Sequence, residues 1–407
     1  MIEGRLIVCI ANSWDYDPTS KHQIMTILAR RNDIVWVNYH GTRRPQASAA
    51  DFRAAWSAVR RFARGACRVT PSIVQVTPLV IPGASQPLLR RLHQRMLVAQ
   101  IRRAARTVDP EARKPVQLWS FAPDVPFLYG RFNEECSVYY CVDEYSEFEG
   151  FDPQRIHAAE EESLARADLV VTTSESLYET KRAQRSDALL VRHGVDYEHF
   201  ASAWRTALKR PRDLAEVPKP IFGFFGLIHH WIDRGLLGEV ARLRPHYSFV
   251  LIGDRRVDVS ELACLDNVYL LGRRAYADLP AYCASFDAGL LPFARSAMTR
   301  NINPIKMHEY LAAGLPVIST SLPEARRYEG PIMIADTAED FAAACDWVLA
   351  DEAPGRREAI SAMVKNHTWA SRVEVLSDAI KARVGARFPG PTRTPEEVPV
   401  ELVAAPA

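Results

Sequence analysis

Apolar residues along this 407-residue chain gather in short unbroken runs rather than in long alternating stretches. In the first half they fall at 6–10, 34–39, 73–81, 116–121, 138–142, 169–173 and 188–191. In the second half they fall at 221–225, 248–252, 268–271, 288–293, 316–320 and 332–335. Uninterrupted runs rich in β-branched and aromatic residues predict parallel strands covered on both faces. Helix-period segments lie between them at 160–167, 235–243, 277–284, 305–313 and 338–349, and 88–108 reads as one longer helix. Strand and helix in alternation predict an α/β class with doubly wound sheets. Two groups of runs predict two such domains, 1–200 and 220–368, joined by a polar, proline-punctuated linker at 201–219. Residues 388–407, rich in Pro and Ala, are expected to form a disordered tail.

Composition excludes collagen-like, coiled-coil and wholly disordered chains. The net charge of +2 conceals a segregation. Residues 40–115 carry fifteen Lys/Arg against three Asp/Glu, and residues 116–162 carry two against eleven. No apolar run approaches the ~18–20 residues of a membrane-spanning helix, and the amino terminus does not read as a signal peptide. The seven cysteines form no CxxC pair. A reduced cytosolic setting is therefore expected, with neither a disulfide framework nor a zinc site. Dinucleotide, P-loop, kinase and nucleophile-elbow fingerprints are absent from the sequence.

The segment 301–320, NINPIKMHEYLAAGLPVIST, carries the most chemistry. Asn303 before Pro304 predicts a capped helix start, and Gly314 with Pro316 predicts its end. Such a start offers free N–H groups and partial positive charge to a phosphate. Lys306 adds a cation there. Glu309, one turn on, shares that face and can accept hydrogen bonds from sugar or ribose hydroxyls.

This segment closely resembles the NPxKxxEYLAAGxPVV signature of the GT-B glycosyltransferases, in particular the retaining "glycosyl transferases group 1" family (GT4-like) that builds bacterial surface polysaccharides. YYCVDEYSEF (139–148), ADLVVTTSESL (167–177), VRHGVDYEHF (191–200), FGFFGLIHHWIDRGLL (222–237), SFVLIGD (248–254) and the stretch 267–293 are similar to the same family in the same order. The resemblance implies two Rossmann-like domains facing each other across a cleft. It makes 1–200 the acceptor side and 220–368 the nucleotide-sugar side, with helix 369–387 packing back on the first domain. It implies that Glu309 is the second glutamate of the E-x7-E motif and holds the donor ribose, while Asn301 stands where the first glutamate is expected. The loop after Gly226 reads GLIHHWIDR and lacks the family's lysine; Lys306, Arg234 or Arg273 can supply that charge, with Lys306 ranked first.

The expected donor-binding set is thus Gly226, Arg273, Asn301, Asn303, Lys306 and Glu309, with Lys306 and Asp143 as catalytic candidates. Asp143 follows a strand's carboxyl end, where α/β sheets place their sites. Trp14, Asp15 and His193 are acceptor-side candidates. Asp15-Tyr16-Asp17 is discounted as a DxD metal motif, His229 and His230 read as loop residues rather than ligands, and Asp233 reads as a helix cap. No metal and no cofactor are expected beyond the nucleoside diphosphate sugar as co-substrate. At ~100° per residue, Arg91, Arg95, Arg102 and Arg106 share one face of helix 88–108. That face is solvated or meets anionic lipid headgroups at the inner face of the membrane; nothing points to nucleic acid. The expected activity is metal-independent, retaining transfer of a sugar to a glycan or lipid-linked glycan. A nucleotide-sugar epimerase or hydrolase of the same fold, or an inactive donor-binding partner, are the alternatives.

Overall fold

A computed structural model describes residues 1–15, 18–39, 60, 62–79, 87–328, 330–350 and 353–387. The proposed tail at 388–407, most of the DxD triplet (Tyr16, Asp17) and the end of the run at 73–81 lie outside these residues.

Among the described residues the strands form two sheets. The first has eight strands: β1 (Leu6–Ala11), β2 (Asp33–Asn38), β3 (Cys67–Thr70), β4 (Ile73–Val76), β5 (Val116–Ser120), β6 (Cys136–Cys141), β7 (Leu169–Thr172) and β8 (Leu189–Leu190). Their order is β3-β4-β2-β1-β5-β6-β7-β8, parallel except for the β3–β4 pair. Strand β3 was not predicted, since its CRVT has no buried face to leave an apolar run. The second sheet, β9 (Ile221–Phe225), β10 (Ser248–Ile252), β11 (Val268–Gly272), β12 (Ala288–Leu291), β13 (Val317–Ser319) and β14 (Ile332–Ile334), is wholly parallel in the order β11-β10-β9-β12-β13-β14.

Each sheet winds outward in both directions from its first strand. Crevices therefore open at the carboxyl ends beside β1 and between β9 and β12. Strand β1 explains the unbroken apolar runs: Ile7, Cys9 and Ala11 enter one core while Leu6, Val8 and Ile10 enter another on the opposite face. Helices α1 (Ser20–Leu28), α2 (Pro87–Val108), α3 (Pro153–Arg166) and α4 (Glu175–Arg182) connect the first sheet. Leu97, Ile101 and Ala104 of α2 and Leu164 of α3 close one of its faces.

Helix α5 (Tyr197–Arg205) changes the expected linker at 201–219. Phe200, Ala201 and Ala203 are buried in the core of the second sheet, so the chain has joined that domain before residue 201. There α5 packs on α7 (Leu279–Ser285) and α8 (Ile305–Ala312); α6 (Arg234–Leu243) and α9 (Ala338–Ala350) cover the same sheet. Asp233 caps α6, accepting a hydrogen bond from the Leu236 N–H at 2.9 Å. The last helix, α10 (Trp369–Arg387), returns to the first sheet, where Trp369, Val373, Leu376 and Ile380 join the core beside α1. No helix among the described residues is long and apolar enough to cross a membrane.

Trp369 is 3% exposed in a core that its helix shares with residues of the first domain. Trp369→Ala should cost the folded chain about 3–5 kcal/mol, read by chemical denaturation. A loss below about 1 kcal/mol would show that α10 is no part of that core.

Candidate functional site

The two sheets meet along their carboxyl edges, and buried polar groups fasten the seam. The Asn303 amide donates to the Thr173 carbonyl at 2.9 Å, and Ser174 Oγ donates to the Asn301 carbonyl at 2.6 Å. Glu324, 2% exposed, accepts from the Glu175 N–H at 2.7 Å and from Arg192 Nε at 2.9 Å.

On the second-domain side of this seam is a cavity lined by Gly226, Gly253, Arg273, Arg274, Tyr276, Lys306 and Glu309, among others. Gly226 follows β9 with φ +147°, and a Cβ there would come within 3.1 Å of Lys306 Cε. The lysine stem therefore lies across the glycine. Gly253 follows β10, and a Cβ on it would stand 1.8 Å from the Gly226 carbonyl oxygen, so only glycine fits beneath the loop. Arg274 is held by Asp213 at 2.6 Å, which leaves Lys306 and Arg273 as the cavity's further cationic side chains. Arg234, the remaining candidate for this charge, lies elsewhere, donating to the Asp258 carbonyl.

Glu309 is 6% exposed, and burial pushes its carboxyl up to about 7 despite the opposing pull of Lys306.

From the first domain, His193 feels the charges of both Lys306 and Lys21, and Lys21 in turn interacts with Asp143. Burial raises the Asp143 carboxyl and lowers the Lys21 ammonium, while each charge counteracts the shift in the other. His193 is 5% exposed and its Nδ1 has no partner. Burial, reinforced by Lys306, Arg372 and Lys21, pushes its imidazole down to about 3, so the ring is neutral. Lys21 was missed from sequence, although its signal was available. It is the second residue of α1 just as Lys306 is the second residue of α8.

Residues 219–351 match the family model described as "Glycosyl transferases group 1". Over the whole chain, the sucrose-phosphate synthase of Thermosynechococcus elongatus superposes with a TM-score of 0.65 at 16% identity, covering 94% of this chain and 100% of that one. Anabaena HepE, solved in complex with UDP and glucose, gives 0.65 at 15% identity, covering 93% and 100%. The fold is GT-B, and the second domain is similar to the group 1 glycosyltransferases over residues 219–351. A curated relative is the Bacillus subtilis (strain 168) protein TuaH, whose name assigns it to teichuronic acid biosynthesis as a glycosyltransferase. It is 29% identical over 252 residues, which are 57% of this chain and 63% of that protein.

Within this GT-B frame three expectations change. Asn303 is not the cap of α8. Its amide crosses the seam, its Oδ1 faces His308 Nε2 at 3.3 Å, and Pro304 occupies the cap position without a side-chain bond. Asn301 does not line the cavity: its amide nitrogen donates to the Ala297 carbonyl at 2.9 Å, closing the turn Ala297–Arg300. Trp14 packs inward, edge-on to Trp36 at 4.9 Å between ring centres. Asp15 beside it is exposed. Asn303 and Trp14 are claimed by partners distant in sequence, Thr173 and Trp36, whereas Asn301 is claimed by Ala297 four residues back.

His229 stacks on Trp231 at 4.2 Å. Among the described residues, Glu144, His157 and Glu160 bring possible metal donors within 4.8 Å of one another. Lys181 Nζ already occupies the position between the two carboxylates, 2.8 Å from each. The arginines of α2 do not form a flat face. Arg91, Arg95, Arg102 and Arg106 line a groove together with Arg103 and, from across it, Arg131.

The Glu309 shift fixes a pH dependence. The folded chain holds this proton more tightly than the unfolded one, whose value is near 4.5. Stability tied to the proton is therefore full below about 4.5 and is lost as pH rises through about 7, on the order of 3 kcal/mol in all. Glu309→Gln should gain stability over the wild type progressively between pH 5 and 8, read as Tm differences. A difference independent of pH would contradict it.

Proposed function

We propose that this chain is a glycosyltransferase that moves a sugar from a nucleoside diphosphate sugar to a hydroxyl of a glycan or lipid-linked glycan in surface-polysaccharide synthesis. The observation that carries the reading is Lys306 lying across Gly226 with Glu309 one turn deeper in the same cavity. Solved relatives of this fold held UDP with glucose, which favours a uridine nucleotide as donor.

The diphosphate lies against the Gly226 loop at the amino end of α8, where the helix start and the Lys306 ammonium offset its charge. Glu309 accepts hydrogen bonds from ribose hydroxyls. As the anomeric carbon–oxygen bond breaks, negative charge gathers on the leaving diphosphate. Lys306 stabilises it there without a metal, in surroundings where a buried charge acts strongly. Asp143, balanced by Lys21, orients the acceptor hydroxyl, and the free Nδ1 of neutral His193 hydrogen-bonds the transferred sugar. The new bond forms on the face the diphosphate leaves, and the departing diphosphate oxygen takes the acceptor's proton, so anomeric configuration is retained.

Calorimetry with UDP, GDP and dTDP tests the reading. UDP should bind, and Lys306→Ala should weaken it about ten- to a hundredfold, the worth of one charge-assisted hydrogen bond. Glu309→Ala should abolish turnover while the protein stays folded. Failure of all three nucleotides to bind would sink the proposal.

A further inference from the structure

The arginine groove along α2 has a volume of about 690 Å³ and no carboxylate among its lining residues. Five arginines stand on one wall, Arg91, Arg95, Arg102, Arg103 and Arg106. Across it stand Arg131 and Phe127, tied to that wall where Arg102 Nη2 donates to the Arg131 carbonyl at 2.6 Å. Six like charges sharing one concave surface repel one another, and a string of anions would relieve the repulsion.

Gln94 and Phe127 also line a second cavity of about 190 Å³, so the two adjoin. Its chemistry differs. Tyr39, following β2, donates to Asp124, following β5, at 3.0 Å; Arg155 and Glu162 of α3 complete the rim. His93 of α2, 6% exposed, lines it too, and its Nε2 has no partner. An aromatic, acids, a guanidinium and an unsatisfied imidazole are the groups that hold a sugar ring. Tyr39 and Asp124 follow β2 and β5 at the carboxyl edge of the first sheet, the edge facing the cleft. Tyr145 links the two regions, feeling both Asp143 and Asp124 while its hydroxyl donates to the Phe121 carbonyl at 2.9 Å.

We propose that this groove and cavity form an acceptor track for an anionic glycan: the arginines hold the acid groups of the chain, and the His93 cavity holds one of its sugar rings. The proposal rests on the glycosyltransferase reading and adds the charge class of its acceptor. A bilayer is the rival occupant, since Leu88, Leu89 and Leu92 are exposed at the start of the same helix. Concavity and the adjoining polar cavity favour a chain that enters over a surface that lies flat.

The test uses the full chain and oligogalacturonate, a linear uronic acid glycan, with neutral malto-oligosaccharides of equal length and phosphatidylglycerol vesicles as comparison arms. Oligogalacturonate should bind, more weakly as salt rises, and the neutral chains should not. The triple variant Arg95→Ala, Arg102→Ala, Arg106→Ala should raise its Kd about tenfold or more at low salt. His93→Ala should raise it about three- to tenfold, the worth of one hydrogen bond, without changing the salt slope. Unchanged affinity in the triple variant would overturn the proposal, as would arginine-dependent binding to vesicles without binding to the glycan. UDP binding in the same samples reports on the nucleotide-sugar reading separately and should be unchanged in all these variants.

Discussion

Everything functional in this chain depends on two parallel sheets presenting their carboxyl edges to each other. Unpaired polar groups at those edges would be costly to bury, and here they satisfy one another across the domain boundary. Asn303 to Thr173, Ser174 to Asn301, and Glu324 to Arg192 and the Glu175 N–H form one row of bonds. Glu324 is an acid withdrawn from water, which is tolerable only because a guanidinium and an N–H group engage its carboxylate. The row holds His193 of the first domain within reach of the Lys306 charge.

The electrostatics of the cleft follow from that placement. Each domain brings a lysine at the second position of a helix, Lys21 on α1 and Lys306 on α8, and each brings an acid, half-buried Asp143 and buried Glu309. Desolvation raises both acids, and the lysines pull in the opposite direction. Between these groups His193 stays neutral, because burial and three cations all oppose its protonation. The cleft thus holds cationic charge with incomplete internal compensation, suited to an anionic partner. Within the first domain Lys181, by contrast, is fully paired, closing on Glu144 and Glu160.

Much of this was legible because the relevant signals are local. Apolar runs locate the strands, and strand length with helix spacing implies parallel sheets. The sequence 301–320 placed Lys306 and Glu309 on one helical face, and both do line the cavity with Gly226 and Arg273. What failed to read were side chains whose partners are distant in sequence. Asn303 reads as a cap, since the proline after it is local, but its partner Thr173 is 130 residues away. Trp14 reads as an acceptor-side candidate until Trp36 is folded against it. The arginine periodicity on α2 was visible, but Arg131 and the concavity were not.

The sequence by itself determined the α/β class, the doubly wound architecture and the helix that carries Lys306 and Glu309. Period and propensity act between near neighbours and need no knowledge of the rest of the chain. Only the tertiary structure decided which polar groups face the cleft and which are consumed in holding it together. It decided that Asn301 and Asn303 serve the turn and the seam, that Lys21 opposes Lys306, and that a row of arginines becomes a groove. A side chain's availability depends on what is packed against it, and that is set by contacts between residues far apart along the chain.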